Sequence, residues 1–459
     1  MKNIFLVPEL RELLSSREYP VLQDFCTFSH PAEVAEFISG LNPEEIWQIL
    51  VLLTPNLRAE IFSHFAEDIQ LEITETLNRN ELSKLISDMS PDDRVDLFKE
   101  LAVEIQQSLL PALAQAERDD IRRLASYPEG TAGSVMTSEY ATLHPDQTVS
   151  EAIEKLRLEA PNKETIYYAY IIDAQRRLIG FISLKDLIIA KPTDLVSKLM
   201  HRDIIFVHVE EDQEEAARKI QKYDLIAIPV VNHENTLVGI ITHDDALDII
   251  TQEHTEDMEK IMAIAGSHEA GVYLRTPSWV HFKNRAYWVV GLAALGLVSG
   301  IIIHSFEATL MHMMILALYM PMVADTGGNT GSQSATVIVR ALALKEIAPN
   351  DFFKIVFKEL KISILLSVIL GLLSWAKVMF LSQDATIPPG FNLATIGFAI
   401  AVALGLQVIT ATLIGAILPL AAAKLKLDPA VVASPALTTV VDITGLVIYF
   451  SMAKLILGI

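Results

Sequence analysis

Apolar residues are distributed in two different ways along this chain of 459 residues. Up to about residue 280 they recur at helical or alternating spacing between polar positions, as half-buried elements require; beyond it they gather into membrane-length runs. Residues 30 to about 125 repeat short helical phrases: LNPEEIWQIL from Leu41, LTPNLRAEIF from Leu53 and MSPDDRVDLF from Met89. Each opens on Asn42, Thr54 or Ser90 as a cap, followed by a proline suited to the first turn. Helices this short cannot bury an apolar face alone, so the pattern predicts a stacked helical array.

From Tyr140 the period changes to alternating strand and helix, and it does so twice. Leu178–Ser183 through Asp186 aligns with Leu237–Thr242 through Asp245 at a spacing of 59 residues. Upstream of each lie a helix, starting near Val149 or Asp212, and a strand at Ala169–Ile172 or Ala227–Val231. This predicts a tandem α/β repeat whose halves pack on each other. The repeated Ser/Thr and Asp, three residues apart at a strand-to-helix junction, are of the type that caps a helix.

Five crossings are predicted beyond residue 280. The first covers about 285–304, uncharged from Ala286 to Ile303, and the second runs from near Ala308 to Arg340 through Pro321, Asp325 and the run TGGNTGSQSAT. The third covers 362–382, the fourth lies within 385–423 as one long helix or a helix plus a re-entrant piece, and the fifth covers 430–457. With the acidic part inside, Lys345, Lys354, Lys358 and Lys361 of one connection and Lys424 and Lys426 of another face the cytoplasm, whereas the outer connections carry no Lys or Arg. That agrees with positive-inside orientation and places Ile459 outside.

Charge follows the same division. Residues 1–280 hold 49 Asp/Glu against 25 Lys/Arg and residues 281–459 hold 8 against 11, within an overall net charge of -21. An acidic module tethered to a membrane module excludes nucleic acid as a natural partner. The N-terminus lacks the apolar core and small-residue cleavage site of a signal peptide. Cys26, the one cysteine, excludes an internal disulfide and reads as a buried small hydrophobe.

Polar residues inside apolar spans are the candidates for chemistry. Asp442 lies mid-span in TTVVDITGLVIYF; a carboxylate there needs water, a cation or a partner such as Arg340, and marks a candidate ion path. Gly327, Gly328 and Gly331 permit close approach or broken helical geometry, and Asn329 and Gln333 can orient water. Oxygen donors of this kind suit hydrated Mg²⁺ better than copper or zinc, but composition does not separate Mg²⁺ from Mn²⁺, Ca²⁺ or Na⁺. Ser363, Ser367 and Ser374 read as back-bonding to their own helix, Lys377 as snorkelling, and Met311, Met313 and Met314 as helix packing. His304 and His312 carry no ligand cluster.

Taken together, these phrases resemble the MgtE family of bacterial magnesium channels or transporters over nearly the whole chain. The resemblance rests on the short-helix N domain, PEGTAGSVM at 128–136, tandem CBS domains, the TEDM helix, Pro321 with Gly327–Gly331 and Gln333, and Asp428, Pro429, Ala430, Pro435, Asp442 and Gly445. It implies a multidomain α-helical membrane protein. Residues 1–130 are an N-terminal helical regulatory domain, 131–195 and 196–252 two α/β CBS domains, 253–281 a connecting helix, and 282–459 a five-helix pore domain.

The resemblance further implies a homodimer in the bacterial inner membrane, with one Mg²⁺-selective pore at the subunit interface that closes when cytoplasmic Mg²⁺ is high. It assigns Asp442 to the pore. It assigns the Mg²⁺ sensor to Glu60, Asp92 and Asp96 of the N domain, Asp212, Glu214 and Asp224 of the second CBS domain, and Asp245, Asp248, Glu253, Glu256 and Asp257 leading into the connecting helix. Asp325 and Ser434 depart from the family pattern, and Asp325 is read as an added cation-attracting or paired carboxylate. ATP is implied as a regulatory ligand of the CBS pair, with Asp186 toward the ribose and Lys185 toward a phosphate; no phosphate loop or hydrolytic constellation accompanies them, so no enzyme is expected. A solvated acidic surface is the plain alternative for individual sensor residues. A Na⁺- or H⁺-coupled divalent-cation transporter is the alternative for the membrane part.

Overall fold

The computed structural model describes residues 7–264, 273, 276–432 and 435–458, so Ser434 lies outside the described residues. The chain divides into two compact units, Met1–Glu253 and His254–Ile459.

The first unit begins with short helices α1 (Val7–Ser15) to α10 (Gln115–Leu124), among them α4 (Pro43–Leu50), α5 (Pro55–Ser63), α7 (Arg79–Asp88) and α8 (Pro91–Glu100). The prolines stand at the first turn as expected, but the Thr54 and Ser90 side chains make no capping bond to the backbone. Buried or half-buried side chains that reach back to carbonyls at the end of a preceding helix hold the array together instead. Arg58 of α5 donates to the Leu50 and Leu53 carbonyls (3.1 and 3.2 Å), and Arg94 of α8 donates to those of Ile86 and Met89 (2.8 and 2.7 Å). Gln70 and Gln106 repeat the device on the Phe65 and Leu101 carbonyls, both at 2.9 Å. These groups would otherwise be orphaned where a helix ends.

Two three-stranded sheets follow. β1 (Tyr140–Leu143) runs parallel to β2 (Thr165–Ile172), which pairs antiparallel with β3 (Leu178–Ser183); β4 (Val207–His208), β5 (Ala227–Val231) and β6 (Leu237–Thr242) repeat this order. The 59-residue spacing maps β3 onto β6 at both ends. Helices α11 (Val149–Glu159), α12 (Leu184–Ile189), α13 (Val196–Leu199) and α14 (Gln213–Tyr223) complete the repeat. The chain entering the first copy docks on the second: Ala132 and Thr137 N–H groups donate to the Glu211 and Ile240 carbonyls, and Met136 fills the space that a side chain at Gly239 would need. α15 (His243–Ile261) then leaves β6 and carries the TEDM segment.

The second unit contains α16 (Ser278–Ser305), α17 (Glu307–His312), α18 (Met314–Ala343), α19 (Phe352–Leu381), α20 (Leu393–Lys424), α21 (Pro429–Val432) and α22 (Pro435–Leu457). Among the described residues four stretches are long and apolar enough to cross a membrane, falling in α16, α19, α20 and α22. The fourth is one helix, without a re-entrant piece. The predicted second crossing exists as α18, whose 30 residues span about 45 Å, but its centre is too polar to count as an apolar span. Nor do its glycines break it: α18 is continuous through Pro321 and the Gly/Asn run, because α20 and α22 pack against the glycine face.

Those contacts are close. A side-chain carbon on Gly415 of α20 would lie 2.2 Å from the Gly331 carbonyl oxygen of α18, so the two backbones meet as small-residue interfaces allow. α18 and α22 run in opposite directions, with Tyr449 OH donating to the Leu316 carbonyl (2.7 Å) at one end and Gly328 beside Thr438 further along. α16 packs along α22 and buries none of its own residues within the chain.

Candidate ion path and acidic sensor

The polar residues of α18 segregate by face. Gly327, Thr330, Gly331 and Ser334 are buried against neighbouring helices, whereas Asp325, Asn329, Gln333 and Thr336 are exposed and recur at helical spacing as one stripe. Asp442, half-buried on α22, has Asp325 as the charged neighbour acting on it. Arg340 pairs instead with Glu346 at 3.6 Å, so the expected alternative of an Arg340–Asp442 pair is not the arrangement found. Two carboxylates near one another in a membrane-length unit form a cation-attracting pair.

Other membrane positions behave more plainly. Ser363 and Ser367 bond the Leu360 and Ile364 carbonyls of their own helix, as expected, whereas the buried Ser374 hydroxyl has no hydrogen-bond partner among the described residues. Lys377 reaches the Met322 sulfur (3.8 Å), and His304 pairs with Glu307 (3.2 Å). One residue of consequence had no distinguishing signal in the sequence. Gln407 of α20 is fully buried, and its Nε2 donates to the carbonyl of Val441, the residue before Asp442 (2.8 Å). In sequence it is the one amide within α20, in a long uncharged stretch.

In the first unit, α8 and the start of α15 bring carboxylates together. Burial, then Asp93 and Asp245, hold Asp92 well above the usual carboxylate range, and its Oδ1 is buried without a hydrogen-bond partner among the described residues. Asp96 is exposed on α8, yet desolvation by the atoms packed around it pushes it up to about 6 against the pull of Lys99. The half-buried Asp245 is raised by desolvation despite its bonds to Thr242, and Asp248, exposed on α15, by desolvation and Asp244 despite His64. Glu164, partly exposed, joins them without a signal in the sequence, pushed up to about 7 by desolvation, Asp245 and Asp244. It sits just before β2, and only the fold brings it to α15.

The remaining sensor candidates lie outside this group. Glu60 is exposed on α5; Asp212 caps α14, accepting from the Glu214 N–H (2.8 Å); Glu214 pairs with Arg218; and Asp224 ends α14 in the left-handed region at φ 51°. Glu253 accepts from Gln213 Nε2 at 2.7 Å. Further along α15, within the second unit, Lys260 bridges Glu256 (2.7 Å) and Asp428 (3.0 Å), while burial, Asp428 and Glu256 raise Asp257. Ile261 packs against a cluster containing Ala335, Val339, Leu437 and Val441. Among the described residues no three His, Cys, Asp or Glu side chains converge to enclose an ion.

Between the CBS copies a mainly apolar cleft is lined by Tyr168, Tyr170 and Phe181 of one and by Leu225, Ala227 and Pro229 of the other, with Asp203 as its one carboxylate among the described residues. Ser183 and Asp186 form the expected cap, and Asp186 also binds His201 (3.1 Å), which stacks on Phe181 with ring centroids 5.1 Å apart. Thr242 and Asp245 repeat the Ser–Asp contact. Lys185 is exposed beside Asp186.

Comparison with known proteins agrees with this architecture. The family model described as a divalent cation transporter matches residues 320–452, the MgtE intracellular N domain matches 29–130, and CBS domains match 132–192 and 196–252. The magnesium transporter MgtE of Thermus thermophilus is 36% identical over 455 residues, covering 98% of each chain. A crystal structure of the soluble part of a magnesium transporter is 31% identical with a TM-score of 0.51, covering 54% of this chain and 97% of that one. A crystal structure of the cytosolic domain of the Mg²⁺ channel MgtE in complex with ATP is 36% identical with a TM-score of 0.49, covering 52% and 98%. With a full-length relative at this identity, and N-domain, CBS and membrane matches in the same order, the chain belongs to the MgtE family of magnesium transporters.

Proposed function

We propose that the protein is a Mg²⁺-selective channel or facilitator that closes when cytoplasmic Mg²⁺ rises. The observation that carries this reading is the polar stripe of Asp325, Asn329, Gln333 and Thr336, open on a single chain, with Asp325 acting on Asp442 of the adjacent helix. Such a stripe is costly against lipid. A second copy of the chain, facing it with its own stripe, completes a wet path and makes the working unit a homodimer. Mg²⁺ dehydrates reluctantly, so carboxylate and amide oxygens hold it through its bound waters, which selects by the size of the hydrated ion. The lysine distribution supports an inner-membrane orientation with the acidic unit in the cytoplasm and the C-terminus outside.

The sensor works by charge. Asp92, Asp96, Asp245 and Asp248, with Glu164, repel one another when no cation is near, and divalent ions neutralise and bridge them through water. Glu60, Asp212, Glu214, Asp224 and Glu253 add negative field to this group. α15 transmits the result: its Glu256 and Asp257 act with Asp428, and Ile261 packs beneath α18 and α22. A shift of this helix therefore reaches the inner end of the ion path. ATP is a regulatory ligand of the aromatic cleft, its base against Tyr168, Tyr170 and Phe181, with Asp186 and Lys185 serving ribose and phosphate.

Purified full-length protein in liposomes tests this reading. The expected current reverses at a potential that follows the Mg²⁺ gradient alone and declines as Mg²⁺ is raised on the cytoplasmic face. Obligatory movement of Na⁺ or H⁺ with each divalent ion would replace it with a coupled transporter.

A further inference from the structure

Three helices meet at one amide. Gln407 of α20 is buried completely, with Gly327 of α18 on one side and Gly445 of α22 on the other. A carbon added at Gly327 would lie 2.4 Å from Gln407 Nε2, and one added at Gly445 would lie 2.6 Å from it, so both neighbours must lack a side chain for the amide to fit. Nε2 donates to the Val441 carbonyl at 2.8 Å, Thr444 Oγ1 donates to that same carbonyl at 3.0 Å, and Thr410 Oγ1 lies 3.4 Å from Gln407 Oε1. Gly327 follows Asp325 by two residues, and Val441 immediately precedes Asp442. The amide therefore sits where the two acid-bearing helices must be held in register.

We infer that Gln407 is a positioning residue for the ion path: it fixes the rotation and spacing of α22 against α18 and so sets where Asp442 stands relative to Asp325. A buried amide away from water has no alternative partner, which makes its bond directional and costly to lose. An apolar side chain of the same length would fill the space without specifying rotation. A hydrated ion held through water needs its carboxylates placed to within a fraction of an ångström, because outer-shell geometry rather than direct ligation discriminates between ions. The inference rests on the reading that Asp442 carries the ion.

Gln407→Met and Gln407→Glu test it in full-length protein reconstituted into liposomes, with flux normalised to inserted protein. Methionine keeps the unbranched shape and removes the donor. The expected result is a half-saturating Mg²⁺ concentration raised about threefold to tenfold, the worth of one such bond, together with a lower ratio of Mg²⁺ to Ca²⁺ flux. Glutamate donates to the Val441 carbonyl only when protonated. Its half-saturation, divided by that of the parent at each pH, is therefore expected to fall toward one as pH is lowered. Unchanged half-saturation and ion ratio in Gln407→Met, with only stability or maximal flux reduced, would overturn the inference and leave Gln407 as packing. Failure of both variants to insert as folded protein would also overturn it, since the residue would then act in folding. Asp442→Asn, run in parallel, separates the two levels: if it conducts like the parent, the underlying reading of Asp442 fails whatever the Gln407 variants do.

Discussion

Asp325 is exposed on a helix long enough to cross a membrane. Its carboxylate adds to that of Asp442, and a like-charged pair raises the local concentration of divalent cations more than either group alone. Asp325→Gly is therefore expected to lower Mg²⁺ flux at submillimolar Mg²⁺ by roughly twofold to fivefold without changing assembly. Flux assays at several Mg²⁺ concentrations check this, and equal flux throughout would place Asp325 off the path. Asp442 was legible because a mid-span carboxylate stands out from any apolar background. Gln407 was not, because an uncharged amide in a long apolar stretch has no signature until the glycines around it are seen on other helices. The Arg58 and Arg94 braces were hidden for a related reason. Their partners are carbonyls, which every residue possesses.

For the elements, spacing was informative where local periodicity decides the structure. The 59-residue repeat located β3, β6 and β5, and the first-turn prolines located α4, α5 and α8. It was less decisive for α18, where the Gly/Asn run allowed either close helix approach or a break, the latter favoured by local preference. Tertiary packing overrides that local preference, since glycines forming one face of a helix let neighbours approach and so favour the helix. This makes Gly415→Ala a sharp test: the added carbon would meet the Gly331 carbonyl oxygen at 2.2 Å, and backbone cannot move aside as a side-chain tip can. The expected cost is about 1–3 kcal/mol, read as a lower melting temperature in detergent. Gly300→Ala on α16, with nothing near it, is expected to melt as the parent does. Equal effects of the two substitutions would mean that α18 and α20 are not in close contact.

Across the whole molecule, the clustered carboxylates of the first unit tie stability to pH and, as the proposed sensor, to Mg²⁺. Asp92, Asp96, Asp245, Asp248 and Glu164 are all raised above ordinary carboxylate values, with Asp96 near 6 and Glu164 near 7. The folded protein thus binds more protons than the unfolded chain between about pH 4 and 7, so without divalent cations its stability falls as pH rises through that window. Limited proteolysis of the full-length protein is expected to show the soluble unit better protected at pH 5.5 than at pH 7.5 without Mg²⁺. Added Mg²⁺ should protect strongly at pH 7.5 and weakly at pH 5.5, where protons already neutralise the cluster. Protection by Mg²⁺ that is independent of pH would dissociate these carboxylates from the sensor. Neutralising Asp92, Asp96, Asp248 and Glu253 together is expected to leave current flowing at cytoplasmic Mg²⁺ concentrations that silence the parent. Identical inhibition curves would return these acids to an ordinary solvated surface.

The ion path itself is tested most directly by Mg²⁺ flux through reconstituted Asp442→Asn, a substitution that removes the charge and nearly preserves size. Flux is expected to fall at least tenfold, about the order that losing a half-buried carboxylate's hold on a cation implies, while the soluble unit keeps its Mg²⁺-dependent protection from protease. Parent-like flux from correctly inserted protein would contradict a path through the polar face shared by α18 and α22.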